Sequence, residues 1–90
     1  MKESQVEKTI VKWAKDNGIA SLKLDGPGDA GKPDRLFLYQ GKIVFMEMKA
    51  TGGRPRKLQI KWLKNLEEQG FTAVWVDDVN EGIEILEKLL

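Results

Sequence analysis

Asp34, Glu47 and Lys49 are the residues whose types and spacing could do chemistry. They lie at the ends of two apolar runs, 33–39 and 42–49, joined at Gln40-Gly41. Read as a hairpin with a two-residue loop, the runs pair Tyr39 with Lys42, Leu38 with Ile43 and Leu36 with Phe45. The same register sets Asp34 opposite Glu47. A four-residue loop keeps that pairing, whereas a three-residue loop shifts it. Directly opposed residues share a face, with Cβ atoms roughly 4.5–5.5 Å apart. Two carboxylates so placed repel, and a divalent cation held between them would give the pairing a reason. Lys49 follows Glu47 by two positions, so its side chain leaves the same face. The pattern therefore brings two acids and an ammonium to one spot, on strands apolar enough to be mostly buried. Ionisable groups there are costly unless paired or metal-bound.

Composition narrows the chemistry. The chain has no cysteine and no histidine, which excludes disulfides, zinc–thiolate sites, histidine-based triads and imidazole ligation. Any metal must be held by oxygen, which favours Mg²⁺, Mn²⁺ or Ca²⁺. The net charge of +1 conceals a division. Residues 49–64 carry six Lys or Arg and no acid, while residues 65–90 carry seven acids and one Lys. The middle segment is thus a candidate polyanion-binding surface, or else a solvated helix face balanced elsewhere. No apolar run is long enough to span a membrane and the N-terminus lacks a signal-peptide pattern, so a cytosolic protein is expected.

The elements that must position these groups follow from periodicity. Ninety residues fit a single domain over 1–90 with a modest core. Ser4-Gln5-Val6-Glu7 fits a capping box, and Val6, Ile10, Trp13 and Ala14 recur at helical spacing up to Gly18, giving a helix over about 4–17. Glu7 in it is a capping partner or solvated acid on spacing alone, or a third carboxylate beside the buried stripe. A strand over 19–24 leads to the loop Gly26-Pro27-Gly28-Asp29-Ala30-Gly31-Lys32-Pro33. That loop superficially matches a Walker pattern, but Pro33 stands where Ser or Thr should hold Mg²⁺ and open a helix. It reads instead as a loop that carries Lys32 to the edge of the site, with Asp29 a turn residue. After the hairpin, Thr51-Gly52-Gly53-Arg54-Pro55 opens a second helix whose buried stripe is Leu58, Trp62, Leu63 and Leu66. Gln59 shares that side, and Arg54, Arg56, Lys57, Lys61 and Lys64 surround it. Phe71–Val76 is a further strand. A last helix, capped by Asp78 or Asn80, turns Ile83, Leu86, Leu89 and Leu90 inward. The order helix, strand, strand, strand, helix, strand, helix predicts an α/β fold with a mixed central sheet flanked by helices.

Asp34 followed by Glu47-Met48-Lys49, with Pro33-Asp34 spelling its first half, resembles the PD-(D/E)XK nuclease signature. The element order is similar to the restriction-endonuclease-like αβββαβ core, here with an added C-terminal helix. Glu7 in the first helix and Gln59 in the helix after the signature Lys are similar to the VRR-NUC branch, whose stand-alone phage and bacterial members resemble Holliday-junction resolvases. The resemblance spans about residues 4–77. It implies Mg²⁺- or Mn²⁺-dependent cleavage of DNA phosphodiesters, with branched or junction DNA as substrate. It also implies a homodimer in the cytoplasm of a bacterial or phage-infected cell. By the same resemblance, Asp34, Glu47, the Met48 backbone carbonyl and Glu7 serve the metal. Lys49 activates water or stabilises phosphate charge, and Gln59 supports Lys49 and the phosphate. Lys32, Arg54, Arg56, Lys57 and Lys61 are the expected DNA contacts. Two departures stand out: the absence of an accessory DNA-binding domain, and Met46 and Met48, which make the second face of the hairpin apolar.

The chemistry is self-consistent, because phosphodiester hydrolysis needs an activated water and charge neutralisation but no histidine. The metal and Lys49 are expected to keep both carboxylates ionised. Two competing readings remain: a non-catalytic nucleic-acid-binding module that keeps the fold, and a structural domain in which Asp34, Glu47 and Lys49 form only a salt-bridge cluster.

Overall fold

The computed structural model describes residues 1–24, 28 and 30–90; Asp29, read above as a turn residue, lies outside them, as do Gly26 and Pro27. In chain order the elements are α1 (Glu3–Asp16), β1 (Ala20–Lys23), β2 (Arg35–Tyr39), β3 (Lys42–Met48), α2 (Lys57–Glu68), β4 (Thr72–Val76) and α3 (Val79–Glu87). Gln40 and Gly41 take φ of 45° and 80°, the two-residue left-handed turn whose twist matches an antiparallel hairpin. It sets Tyr39 against Lys42, Leu36 against Phe45 and Arg35 against Met46. That is the expected register, and one further step along it brings Asp34 to Glu47.

The four strands form one sheet in the order β1-β2-β3-β4. The first two junctions are antiparallel and β3–β4 is parallel, with α2 as the crossover. Alternation divides the side chains between two faces. On one face Phe37, Val44, Met46, Met48 and Val76 join Val6, Ile10 and Ala14 of α1 and Leu86 of α3 in the main core. On the other, Phe45, Ala73 and Trp75 meet Leu63, Leu66 and Trp62 of α2. The expected mixed sheet flanked by helices is therefore present, and the apolar second face contributed by Met46 and Met48 is the main core itself.

Several local expectations change. The first helix is not capped by the Ser4/Glu7 box. The Gln5 side-chain oxygen instead accepts the Lys2 N–H at 3.0 Å, so the helix starts one residue earlier and Ser4 lies within it. The first strand is shorter, 20–23 rather than 19–24, although Ile19 is buried. Leu58 is not part of the buried stripe of α2: its side chain is 54% exposed. Residues one and five positions later, Gln59 and Leu63, face the sheet instead. Leu90 is likewise exposed and Ile83 half-buried, whereas Leu86 and Leu89 are buried. Asp78 is the α3 cap, accepting the Glu81 N–H at 3.0 Å.

Candidate active site

The open end of the β2–β3 hairpin, opposite its turn, holds the groups singled out above. Asp34 immediately precedes β2, and its Oδ2 accepts the Met48 N–H at 3.0 Å. Glu47 is the penultimate residue of β3, on the face covered by α2, and is only 1% exposed. Its Oε2 accepts two hydrogen bonds, from Gln59 Nε2 at 2.8 Å and Lys49 Nζ at 3.1 Å. Its other oxygen, Oε1, is buried and has no hydrogen-bond partner among the described residues. Leaving such an oxygen unpaired costs about 1–3 kcal/mol or more when it is charged.

Gln59 is held in turn by the start of α2. Its Oε1 accepts the Arg56 N–H at 2.7 Å, one of the orphan donors of a helix N-terminus. That bond fixes which way the amide points, so its NH₂ must face Glu47. Gln59 is thus a buried bridge between a helix end and a carboxylate rather than a boundary residue. It reaches the site through Glu47; it and Lys49 share the same carboxylate oxygen. The loop before Asp34 is tied to the same helix. Trp62 Nε1 donates to the Ala30 carbonyl at 3.2 Å, and a Cβ on Gly31 would lie 2.8 Å from the Leu58 backbone. Only glycine, also at φ +84°, permits that approach.

Glu7 does not join the carboxylate pair. Arg35 Nε donates to its Oε2 at 2.6 Å, on the α1 side of the sheet. Among the described residues no group of three or more acids converges as a ligand set. Glu7 still acts at a distance, since its charge is one of those that raise the Asp34 pKa. Arg35 is the site neighbour that sequence reasoning missed. The available signal was its period-2 relation to Phe37, which turns it toward α1. Glu3 also enters, 3.9 Å from Lys49 Nζ. Of the expected DNA contacts, Arg54, Arg56, Lys57 and Lys61 are exposed around the start of α2, and Lys32 is half-buried beside Pro33.

Burial dominates the electrostatics. It pushes the Glu47 carboxyl up to about 7, with the Asp34 charge adding to the rise and the Lys49 hydrogen bond opposing it. Asp34 is raised as well, chiefly by burial, against the lowering effect of the Met48 N–H. Lys49 therefore does not by itself keep Glu47 ionised at neutral pH; a second positive charge is needed to complete what was expected of the pair. The donor set fits a hard dication: two carboxylates at the open end of the hairpin, one with an unpartnered buried oxygen, beside the Met48 backbone.

This geometry has relatives. No family model matches the sequence. A phage protein, "Putative nuclease p44" of Acyrthosiphon pisum secondary endosymbiont phage 1, is 35% identical over 78 residues, covering 86% of this chain and 84% of its own. A solved structure of a "VRR_NUC domain" superposes with a TM-score of 0.85 over 98% of this chain and 97% of its own, at 24% identity. The chain belongs to the family of that phage protein, and its fold is that of a VRR_NUC domain. A second solved structure, a "VRR_NUC domain protein", agrees in fold with a TM-score of 0.79 at 18% identity, covering 99% of this chain and 88% of its own. The VRR-NUC fold and the phage relative together support a nuclease. No helix among the described residues is long and apolar enough to cross a membrane.

Proposed function

We propose that this protein of VRR_NUC fold is a Mg²⁺- or Mn²⁺-dependent DNA endonuclease that acts on branched DNA as a homodimer. The observation that carries the reading is the unpartnered, buried Oε1 of Glu47 beside a second carboxylate. A purely structural salt-bridge cluster would satisfy that oxygen or leave it in water.

In this reading Asp34, Glu47 and the Met48 carbonyl hold the cation. When bound, it supplies an activated water near neutral pH and offsets charge building on the phosphate. Lys49, with its side chain 12% exposed and its ammonium on Glu47, is placed to donate to a phosphate oxygen or to orient the attacking water. Gln59 holds Glu47 Oε2, so Oε1 is the oxygen offered to the cation. Glu7 tunes Asp34 by charge and fixes Arg35. Arg54, Arg56, Lys57, Lys61 and Lys32 steer and hold the DNA backbone. Two strands of a junction call for two sites, which a two-fold dimer supplies. Edge strand β4, the exposed Phe71 just before it, set edge-on to Phe45 at 5.4 Å, and exposed Leu90 are surfaces open to it.

The test is a panel of duplex, single-strand, flap and four-way-junction DNA with Mg²⁺ or Mn²⁺. Wild type is expected to cut the branched substrates, and Glu47→Ala and Lys49→Ala are not. Equal residual cleavage by wild type and Lys49→Ala would refute the assignment. Salt-sensitive DNA binding that ignores EDTA, without cleavage, would instead identify a binding module.

A further inference from the structure

A second cationic surface lies on the other side of the sheet, outside the basic segment 49–64. Lys8, Lys12 and Lys15 recur one turn apart along α1, which puts them on one helix face spanning about 10 Å. With Lys23 of β1 and Arg35 of β2 they line a groove of about 380 Å³. Lys12 is paired with Asp16 at 2.9 Å and Arg35 with Glu7. Lys8, Lys15 and Lys23 are exposed and have no ion pair among the described residues.

The pairing within this groove is unfavourable as it stands. Lys23 lies directly opposite Arg35 in the β1–β2 ladder, and like charges so placed destabilise a sheet. Glu7 neutralises one of the two. Lys15 also complements the C-terminal end of α1, but helix capping explains neither Lys8 nor Lys23. The groove's inner end is Arg35, the chain neighbour of Asp34, and Glu7 is close enough for its charge to be felt there. The cationic track therefore runs up to the proposed catalytic end from the face opposite α2.

We infer that the groove between α1 and β1 is a second binding site for a DNA phosphate backbone. Together with the basic start of α2 it grips nucleic acid on both faces of the sheet, with the carboxylate pair between them. This rests on the nuclease reading for the choice of DNA as the polyanion. Two separated backbone tracks flanking one reactive point suit a substrate whose strands diverge there.

The test is binding of labelled duplex and four-way-junction DNA in Ca²⁺ over a range of salt, comparing wild type with the triple variant Lys8→Gln/Lys15→Gln/Lys23→Gln. Each lost phosphate contact lowers the slope of log K against log salt by about 0.9. The triple variant is expected to lose about 2 to 3 from that slope and roughly ten- to a hundredfold in affinity at moderate salt. Mn²⁺ affinity, read by calorimetry, should be unchanged, and the variant should melt close to wild type, because relief of the Lys23–Arg35 repulsion offsets the loss of Lys15 at the C-terminal end of α1. Lys42→Gln/Lys88→Gln, at the far end of the molecule, is the charge control and should bind nearly as wild type. An unchanged slope in the triple variant, or an equal loss in the control, overturns the inference while leaving the nuclease reading standing. Failure of wild type to bind any DNA overturns both.

Discussion

Glu47 concentrates the site's energetics. Its carboxyl is raised from an ordinary 4.5 to about 7, so the folded protein holds a proton that the unfolded chain releases. That contribution to stability is fully present below pH 4.5 and is lost as pH rises through about 7. Without divalent metal, thermal denaturation is therefore expected to show a melting temperature that falls between pH 5 and 8. Glu47→Gln should flatten that dependence and melt higher than wild type at pH 8. Mn²⁺ should raise the wild-type midpoint increasingly above pH 7, because binding needs the ionised carboxylate, and should leave Glu47→Gln unmoved. Asp34→Asn separates the readings in the same way: it stabilises the metal-free protein by relieving repulsion, and under the nuclease reading it also removes the Mn²⁺ shift. Gln59→Leu strands the Arg56 N–H and one acceptor position on Glu47 Oε2. A loss of about 1–3 kcal/mol and a ten- to hundredfold weaker Mn²⁺ affinity are expected, by denaturant titration and calorimetry.

At the scale of elements, the hairpin was legible because its information is local. Gln40-Gly41 and the two apolar runs fix register without help from the rest of the chain, and Asp34 and Glu47 follow from it. What was not legible came from tertiary contacts. Whether Glu7 faces Glu47 or Arg35 depends on how α1 crosses the sheet, which helical spacing does not encode. Leu58 reads as core by the same spacing as Leu63, yet the Gly31 loop lies over its backbone and leaves its side chain outside. Ser4 and Glu7 had the residue types of a cap, but Gln5 outcompeted them from one turn inside. Two substitutions probe these elements. Gln40 takes a left-handed φ of 45° that a side chain resists, so Gln40→Asn should stabilise by about 0.5–1 kcal/mol in urea unfolding. A Cβ on Gly82 would lie 2.5 Å from Ile10 Cδ1, where α3 crosses α1. Helix propensity favours alanine there by about 1 kcal/mol, while overpacking a filled core costs about 1–3 kcal/mol. Gly82→Ala should lose about 1 kcal/mol net and melt several degrees lower.

Across the whole molecule the two sides of the sheet carry different duties: α1 and α3 bury the larger core, and α2 encloses the buried carboxylate of Glu47. The proposed dimer predicts twice the monomer mass by light scattering at micromolar concentration, and a monomer there would remove it. The turn at Gln40-Gly41 has a further consequence for how such a chain can vary in length. Opposed residues on neighbouring strands always share a side, so the site exists only while the positions of Asp34 and Glu47 keep matching parity across the turn. One residue inserted there and absorbed by sliding the ladder would set Asp34 against Met48 and send Glu47 through to the opposite surface. A slide of two residues would restore the side but not the direct opposition. Chain growth at that tip is thus constrained in odd and even steps, and an odd slip disables the centre without touching any of its members.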